Sequence, residues 1–306
     1  MKNNTICPKC ESEDTIKWTQ RKTENRGLIQ RYKCKSCSKT FVLDEGFFRM
    51  RNHPQKITQS IDLFFRGVST RKVQEHLGVF YPHNASHKSI YLWIVKYSKI
   101  ISKFTEKMKV NVGEEVQVDE MQCFRRRSHK QKRGVEEDWH IDSICPETKF
   151  MVFGNYVKSR GKKQIRKVFE QIKEKSRNKV KVITTDGLFV YPNQIRKVCG
   201  WNNITQCCNI SHNKVNASKG EGFNNPIERL HNSMRHRLKT MRGFHGSMES
   251  ANSIMKGWGI YYNFITKHQA IDCCPYELVM PEFAETLKEI KNKWHGLIYL
   301  SKEADL

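Results

Sequence analysis

Two C-x-x-C pairs, Cys7 and Cys10 in "CPKC" and Cys34 and Cys37 in "CKSC", constrain this chain more than any other feature. Each pair makes a knuckle that turns two thiolates toward one point. Two knuckles complete a tetrahedral site for Zn2+ with four sulfur ligands. The surrounding segment is too short and too polar to fold on a hydrophobic core of its own, so metal binding would supply its folding energy. Between the pairs, "TIKWTQRKTENRGLIQRYKC" alternates on either side of "ENRG" and predicts a β-hairpin. The expectation is a zinc ribbon over residues 1–45, with redox-active thiols as the competing reading. The other cysteines, Cys123, Cys145, Cys199, Cys207, Cys208, Cys273 and Cys274, have no repeated pair spacing, and most of them read as small buried apolar side chains.

The rest of the chain carries an excess of positive charge. Lys and Arg number 55 against 31 Asp and Glu, a formal net charge of +24 over 306 residues. An excess of that size points to a polyanionic partner, nucleic acid first and an anionic membrane surface second. No apolar run approaches the roughly 20 residues needed to span a bilayer. The N-terminus "MKNNTICPKC" has no apolar stretch of the kind that marks a secretory signal. The expected compartment is therefore the cytoplasm, where paired cysteines serve metals rather than disulfides.

Residues 54–103 read as helices. Ile57, Ile61, Phe64 and Phe65 fall on one helical face. "GVSTRKVQEHLG" then shows a break, Ser69 as N-cap, an apolar side at Val73 and Leu77, and a stop at Gly78. A further helix begins at Ser86 and buries Ile90, Trp93, Ile94 and Tyr97. This arrangement predicts a helix-turn-helix that binds double-stranded DNA. Its last helix would enter the major groove with His87, Lys88, Ser89 and Tyr91 as the base readers. A helical linker with a solvated basic face is the alternative.

Residues 112–270 change character. "EEVQVDEMQCF" alternates as a strand, and "DWHIDSICPETKFMVFGNYV" reads as two strands joined at Pro146-Glu147-Thr148. "GKKQIRKVFEQIKEK" places Ile165, Val168, Phe169 and Ile172 on one helical face. "KVKVITTDG" is a buried strand ending at Asp186, "YPNQIRKV" a short helix and "NITQCCNI" a further strand. A basic helix follows, with Pro226 in its first turn. The order β-β-β-α-β-α-β-α is that of an RNase H-like α/β domain, a mixed sheet that opens with an antiparallel meander. Residues 271–306 read as a helical C-terminal tail.

Phosphodiester chemistry with two metal ions needs clustered carboxylates on rigid elements. Asp119 lies in the first strand and Asp186 ends a strand expected beside it. Glu228 is the single acid among five Lys and Arg residues in "NNPIERLHNSMRHRLKTMRGF". On one helix, Glu228, His231 and Arg235 share a face, and Leu230, Met234 and Leu238 mark the apolar face beside it. In this reading Glu228 completes an Mg2+ (or Mn2+) site with Asp119 and Asp186, while His231, Arg235, Arg237 and Lys239 hold DNA phosphates. Glu120 could replace Asp119 as the ligand, and Asp186-Gly187 could be a plain turn. Glu221 is the nearest acidic competitor of Glu228.

Taken together, "VQVDE", "VITTDGLFVYPNQIRKV" and "NNPIERLHNSMRHRLKTMRGF" resemble the DDE transposases of bacterial and archaeal insertion sequences. The likeness is greatest to the cointegrate-forming IS-six family. It spans about residues 112–270, and the helix-turn-helix ahead of them is similar too. The resemblance implies Asp119, Asp186 and Glu228 as the catalytic triad. It implies terminal inverted repeats as the bound DNA, end cleavage and strand transfer as the reaction, and a homo-dimer or higher oligomer to synapse two ends. Two departures stand out: a longer stretch between Asp186 and Glu228, around "CCNISHNKVNASKGEGF", and Arg235 where such families commonly carry Lys. Arg keeps the charge but replaces a point charge with a planar fork. Two rival functions remain at this level. One is a DNA-binding repressor on an inactive RNase H-like body; the other is a structure-specific nuclease without strand transfer.

Overall fold

In the N-terminal segment β1 (Thr15–Thr23) and β2 (Gly27–Cys34) form the antiparallel hairpin that the alternation predicts, and β3 (Thr40–Phe41) adds a third strand against β2. The computed structural model describes residues 5–81, 85–126, 135–204, 207–215, 225–241 and 243–304.

Three helices follow: α1 (Pro54–Phe65), α2 (Thr70–Phe80) and α3 (His87–Glu106). Ser69 and Ser86 cap α2 and α3 by accepting from the backbone N–H of Lys72 and Ser89. The apolar faces expected of α1 and α3 are buried, and that of α3 extends to Ile101. Gly78 does not end α2. The helix runs on to Phe80 and closes where the Tyr81 N–H donates to Leu77 O. A single helical glycine costs only about 1 kcal/mol, which the packing of Val73 and Leu77 outweighs.

The central sheet holds β4 (Glu115–Arg126), β5 (Val135–Ile144), β6 (Met151–Val157), β7 (Val182–Thr185) and β10 (Ser211–Lys214) in the order β10-β7-β4-β5-β6. β4, β5 and β6 form the antiparallel meander, while β7 runs parallel to β4 and β10 parallel to β7. The helices α4 (Lys162–Lys175) and α5 (Tyr191–Cys199) connect these strands and pack on each other through Phe169 and Tyr191. One element differs from expectation. Among the described residues of the stretch 203–210, only Cys207–Cys208 (β9) is extended, and it pairs with Trp201–Asn202 (β8) rather than with the central sheet. The sheet edge is taken by the next four residues, which pair with β7 from Val182 to Thr185.

On the opposite face lie α6 (Asn225–Met241) and α7 (Met248–Ile260), joined through β11 (Phe244–His245), which pairs with the far end of β4. A π-helical turn (Tyr261–Ile265) ends α7, and Asn263 clasps the edge of β6 by bonding both the N–H and the carbonyl of Met151. α3 packs along α7 at close range. A Cβ on Gly257 would come within 2.1 Å of Ser98 Oγ and 2.5 Å of the Phe65 ring, so only glycine permits this approach.

The last helices, α8 (Pro275–Val279), α9 (Pro281–Lys288) and α10 (Lys293–Glu303), return to the first ones. Trp294 stacks on Phe65 at 5.5 Å and donates from Nε1 to Asp62, and Asn292 donates to Thr58. One continuous cluster of buried side chains therefore runs from α1 through the sheet to α10. No helix among the described residues is long and apolar enough to cross a membrane.

Candidate active site

The register of the sheet sets the site. Val118 pairs with Thr185, so Asp119, inside β4, and Asp186, just past the end of the parallel β7, follow side by side. The backbone turns at Gly187 (φ +90°), where any side chain would collide with Lys214. The Leu188 N–H donates to Asp186 Oδ1 at 3.1 Å and orients that carboxylate. Asp119, Glu120 and Asp186 each offer an oxygen within 4.8 Å of the others.

Glu120 is the most deeply placed of the three. It is buried, and its Oε1 has no hydrogen-bond partner. Burial, reinforced by the charges of Asp186 and Asp119, pushes its pKa up to about 7, with Tyr191 and Arg160 pulling the other way. Burial also raises Asp186, again against Arg160. A buried carboxylate oxygen with nothing bound to it, beside two further carboxylates, suits a hard divalent cation, which takes oxygen ligands and cancels the repulsion among them.

Glu228 is exposed in the first turn of α6 and is not part of this three-carboxylate group. It lies one turn ahead of His231 on the same face of the helix. Glu221 falls outside the described residues. The buried face of α6 is Ile227, Leu230, His231, Met234 and Arg237, with Leu238 only half-buried. Two of the expected phosphate holders are thus inside the protein. Arg237 donates to Phe64 O (2.6 Å) and Gly67 O (3.3 Å), tying α6 to the end of α1. Those carbonyls at a helix end need donors, and Arg237 supplies them. His231 is 1% exposed and lies between two carboxylates. It is 3.3 Å from Asp119 Oδ2 through Nδ1 and 2.7 Å from Asp142 Oδ1 through Nε2. Burial works to lower its pKa, but Asp142 and Asp119 outweigh that and push it up to about 10. Both ring nitrogens then carry protons and donate. Arg235 and Lys239 remain exposed, as the phosphate reading requires.

In the helical region Lys88 is exposed, and His87 and Ser89 are half-buried. Tyr91 departs from its expected place as a reader. Its hydroxyl donates to His245 O at 2.9 Å and holds α3 against β11. In the N-terminal segment, the four sulfurs of Cys7, Cys10, Cys34 and Cys37 lie within 4.8 Å of one another, with Cys7–Cys37 and Cys10–Cys34 at 3.6 Å. The Cys37 backbone N–H points at Cys34 and lowers that thiol to about 6, which favours the thiolate a zinc ion needs.

Sequence reasoning missed Asp138, His140, Asp142 and Arg160. The first three alternate along "DWHIDS", so they share one face of β5, and that face is buried. Three polar side chains at strand period facing a core were the available signal.

A mixed sheet with Asp119 inside β4 beside Asp186 at the end of the parallel β7, helices on both faces and a basic helix carrying Glu228 is the arrangement of an RNase H-like α/β domain. Residues 147–269 match the family model for the DDE domain of IS240-type transposases. Over that stretch the chain is similar to the DDE domain of insertion-sequence transposases of the IS240 type. Enzymes of this class act on DNA with a divalent metal. The matched stretch contains Asp186 and Glu228 but begins after Asp119, whose placement rests on the strand register alone. No curated protein matches the chain.

Proposed function

We propose that this transposase binds the terminal inverted repeats of its own element, cleaves at the ends and joins the freed 3′-hydroxyls to target DNA. The observation that carries the reading is the convergence of Asp119 and Glu120 inside β4 with Asp186 at the end of β7, in a fold with a DDE family match. Asp119 and Asp186 would hold Mg2+ or Mn2+, with Glu228 of α6 as the third catalytic carboxylate. A divalent cation held there would activate the nucleophile at neutral pH and offset charge on the leaving oxygen. Exposed Arg235 and Lys239 hold the phosphates of the DNA end, and Arg160 adds a cation beside the carboxylates. Residues 1–45 act as a zinc ribbon and 54–103 as a helix-turn-helix that presents His87, Lys88 and Ser89 to DNA. Synapsis of two ends requires at least a homo-dimer.

The test compares two isosteric changes. Glu228→Gln removes a ligand charge at nearly constant shape and is expected to leave folding and DNA binding intact while abolishing cleavage and strand transfer. Strand transfer by Glu228→Gln in Mg2+, together with its loss in Glu120→Gln, would make Glu120 the third ligand instead. Full activity in both variants would end the two-metal reading.

A further inference from the structure

Asp119 and Asp142 are directly paired across β4 and β5, on the face covered by α6. Two like charges opposite each other in a ladder destabilise a sheet, and Asp142 is fully buried. Yet the site tolerates them because His231 enters between the two. Its Nε2 donates to Asp142 Oδ1 at 2.7 Å, and its Nδ1 faces Asp119 Oδ2 at 3.3 Å. The second oxygen of Asp142 is 3.4 Å from His140 Nε2. His140 is itself 1% exposed, and a Cβ at Gly154 would come within 3.0 Å of its ring, so the neighbouring strand leaves His140 little room to move. The other oxygen of Asp119 accepts from the Glu120 N–H at 2.7 Å. A chain of contacts thus runs from the packed interior, through His140, Asp142 and His231, to one oxygen of a carboxylate at the reaction centre.

We propose that Asp142 and His231 are positioning residues for the metal site: Asp142 locks the His231 ring, and the ring sets the orientation of the Asp119 carboxylate. The inference rests on the reading of Asp119 as a metal ligand. The same bridge fixes α6 against the sheet one turn beyond Glu228, so one buried contact sets the position of both acids. Partners of this kind behind a ligand change metal affinity about 10–100-fold when they are removed.

The experiment is a Mn2+ titration of the full-length protein, read by electron paramagnetic resonance, alongside strand transfer measured across the same Mn2+ range. Asp142→Asn keeps the shape but removes the charge that holds the ring. Its titration midpoint is expected to rise at least 10-fold, with strand transfer recovering at high Mn2+. If Asp142→Asn does not fold, the pair Asp142→Leu with His231→Leu removes both buried groups together, strands no charge and should show the same shift. A merely structural role would lower the folded fraction without moving the midpoint. An unmoved midpoint, with binding lost in Asp119→Asn, would overturn the positioning role and leave the metal reading standing. Unchanged Mn2+ binding in Asp119→Asn would remove the metal reading and this inference with it.

Discussion

Lys175 shows what one buried residue imposes on this protein. It ends α4, is 7% exposed and donates to Val152 O at 3.0 Å. Burial lowers its pKa to about 8, against the partial compensation of Glu106. The folded-state value lies below the unfolded one, so between pH 8 and about 10.5 the unfolded chain binds more protons and stability rises with pH. Below pH 8 the charged ammonium costs about 3 kcal/mol, from the shift of some two to three pKa units. Lys175→Met is therefore expected to raise stability at pH 7 by about 1–3 kcal/mol, less than the full cost because the bond to Val152 is lost. It should also flatten the rise above pH 8. Urea unfolding at pH 7 and pH 10 measures both, and equal stabilisation at the two pH values would contradict the assignment.

At the scale of elements, the N-terminal strands and the helices α1 to α3 carry separable expectations. The face of β1 is almost wholly exposed, so the hairpin has little apolar burial to hold it. Removal of zinc by a strong chelator should disorder residues 5–43 while the sheet domain keeps its unfolding midpoint. Amide hydrogen exchange on the full chain distinguishes the two regions; unchanged protection of β1 and β2 would show that the metal is not structural. On the helix-turn-helix reading, exposed Lys88 and half-buried His87 in the first turn of α3 are the side chains that reach bases. Replacing His87 and Lys88 by Ala should reduce the preference for element ends over random DNA, since lost base contacts relax specificity while lost phosphate contacts weaken all sequences alike. Competition binding at fixed salt reads the ratio, and a uniform loss of affinity would make them phosphate contacts.

For the whole molecule, the C-terminal helices matter more than a tail would. Trp294 is buried at 3% exposure between α1 and the π-helical turn, with its ring on Phe65 and its Nε1 bonded to Asp62. Trp294→Ala is expected to cost about 3–5 kcal/mol, as large aromatic truncations in cores do. Because the buried cluster is continuous, the loss should appear in the cooperative unfolding of α1 to α7 as well as locally. A single shifted transition by circular dichroism and fluorescence is the expected outcome. Loss of the α10 signal alone would mean that the C-terminal helices are an independent unit.

Local pattern carried a large share of this architecture. The helical faces at Ile57, Ile90 and Ile165 and the caps at Ser69 and Ser86 were legible because each depends on neighbours within a turn. The meander turn at 146–148 and the cysteine knuckles are equally local. The carboxylates Asp119 and Asp186 were legible as candidates because one lies in a strand and the other ends one, and the parallel register places them together. What the sequence could not decide was which polar side chains face inward. His231 and Arg237 look like cations on a basic helix, and only the packing of α6 on the sheet and on α1 turns them into buried partners of Asp142 and of helix-end carbonyls. Nor could it join Asp142 to Asp119, 23 positions earlier, since that pairing depends on strand register. Helical period determines faces from the chain alone, but the choice of which face is buried belongs to the elements that cover it.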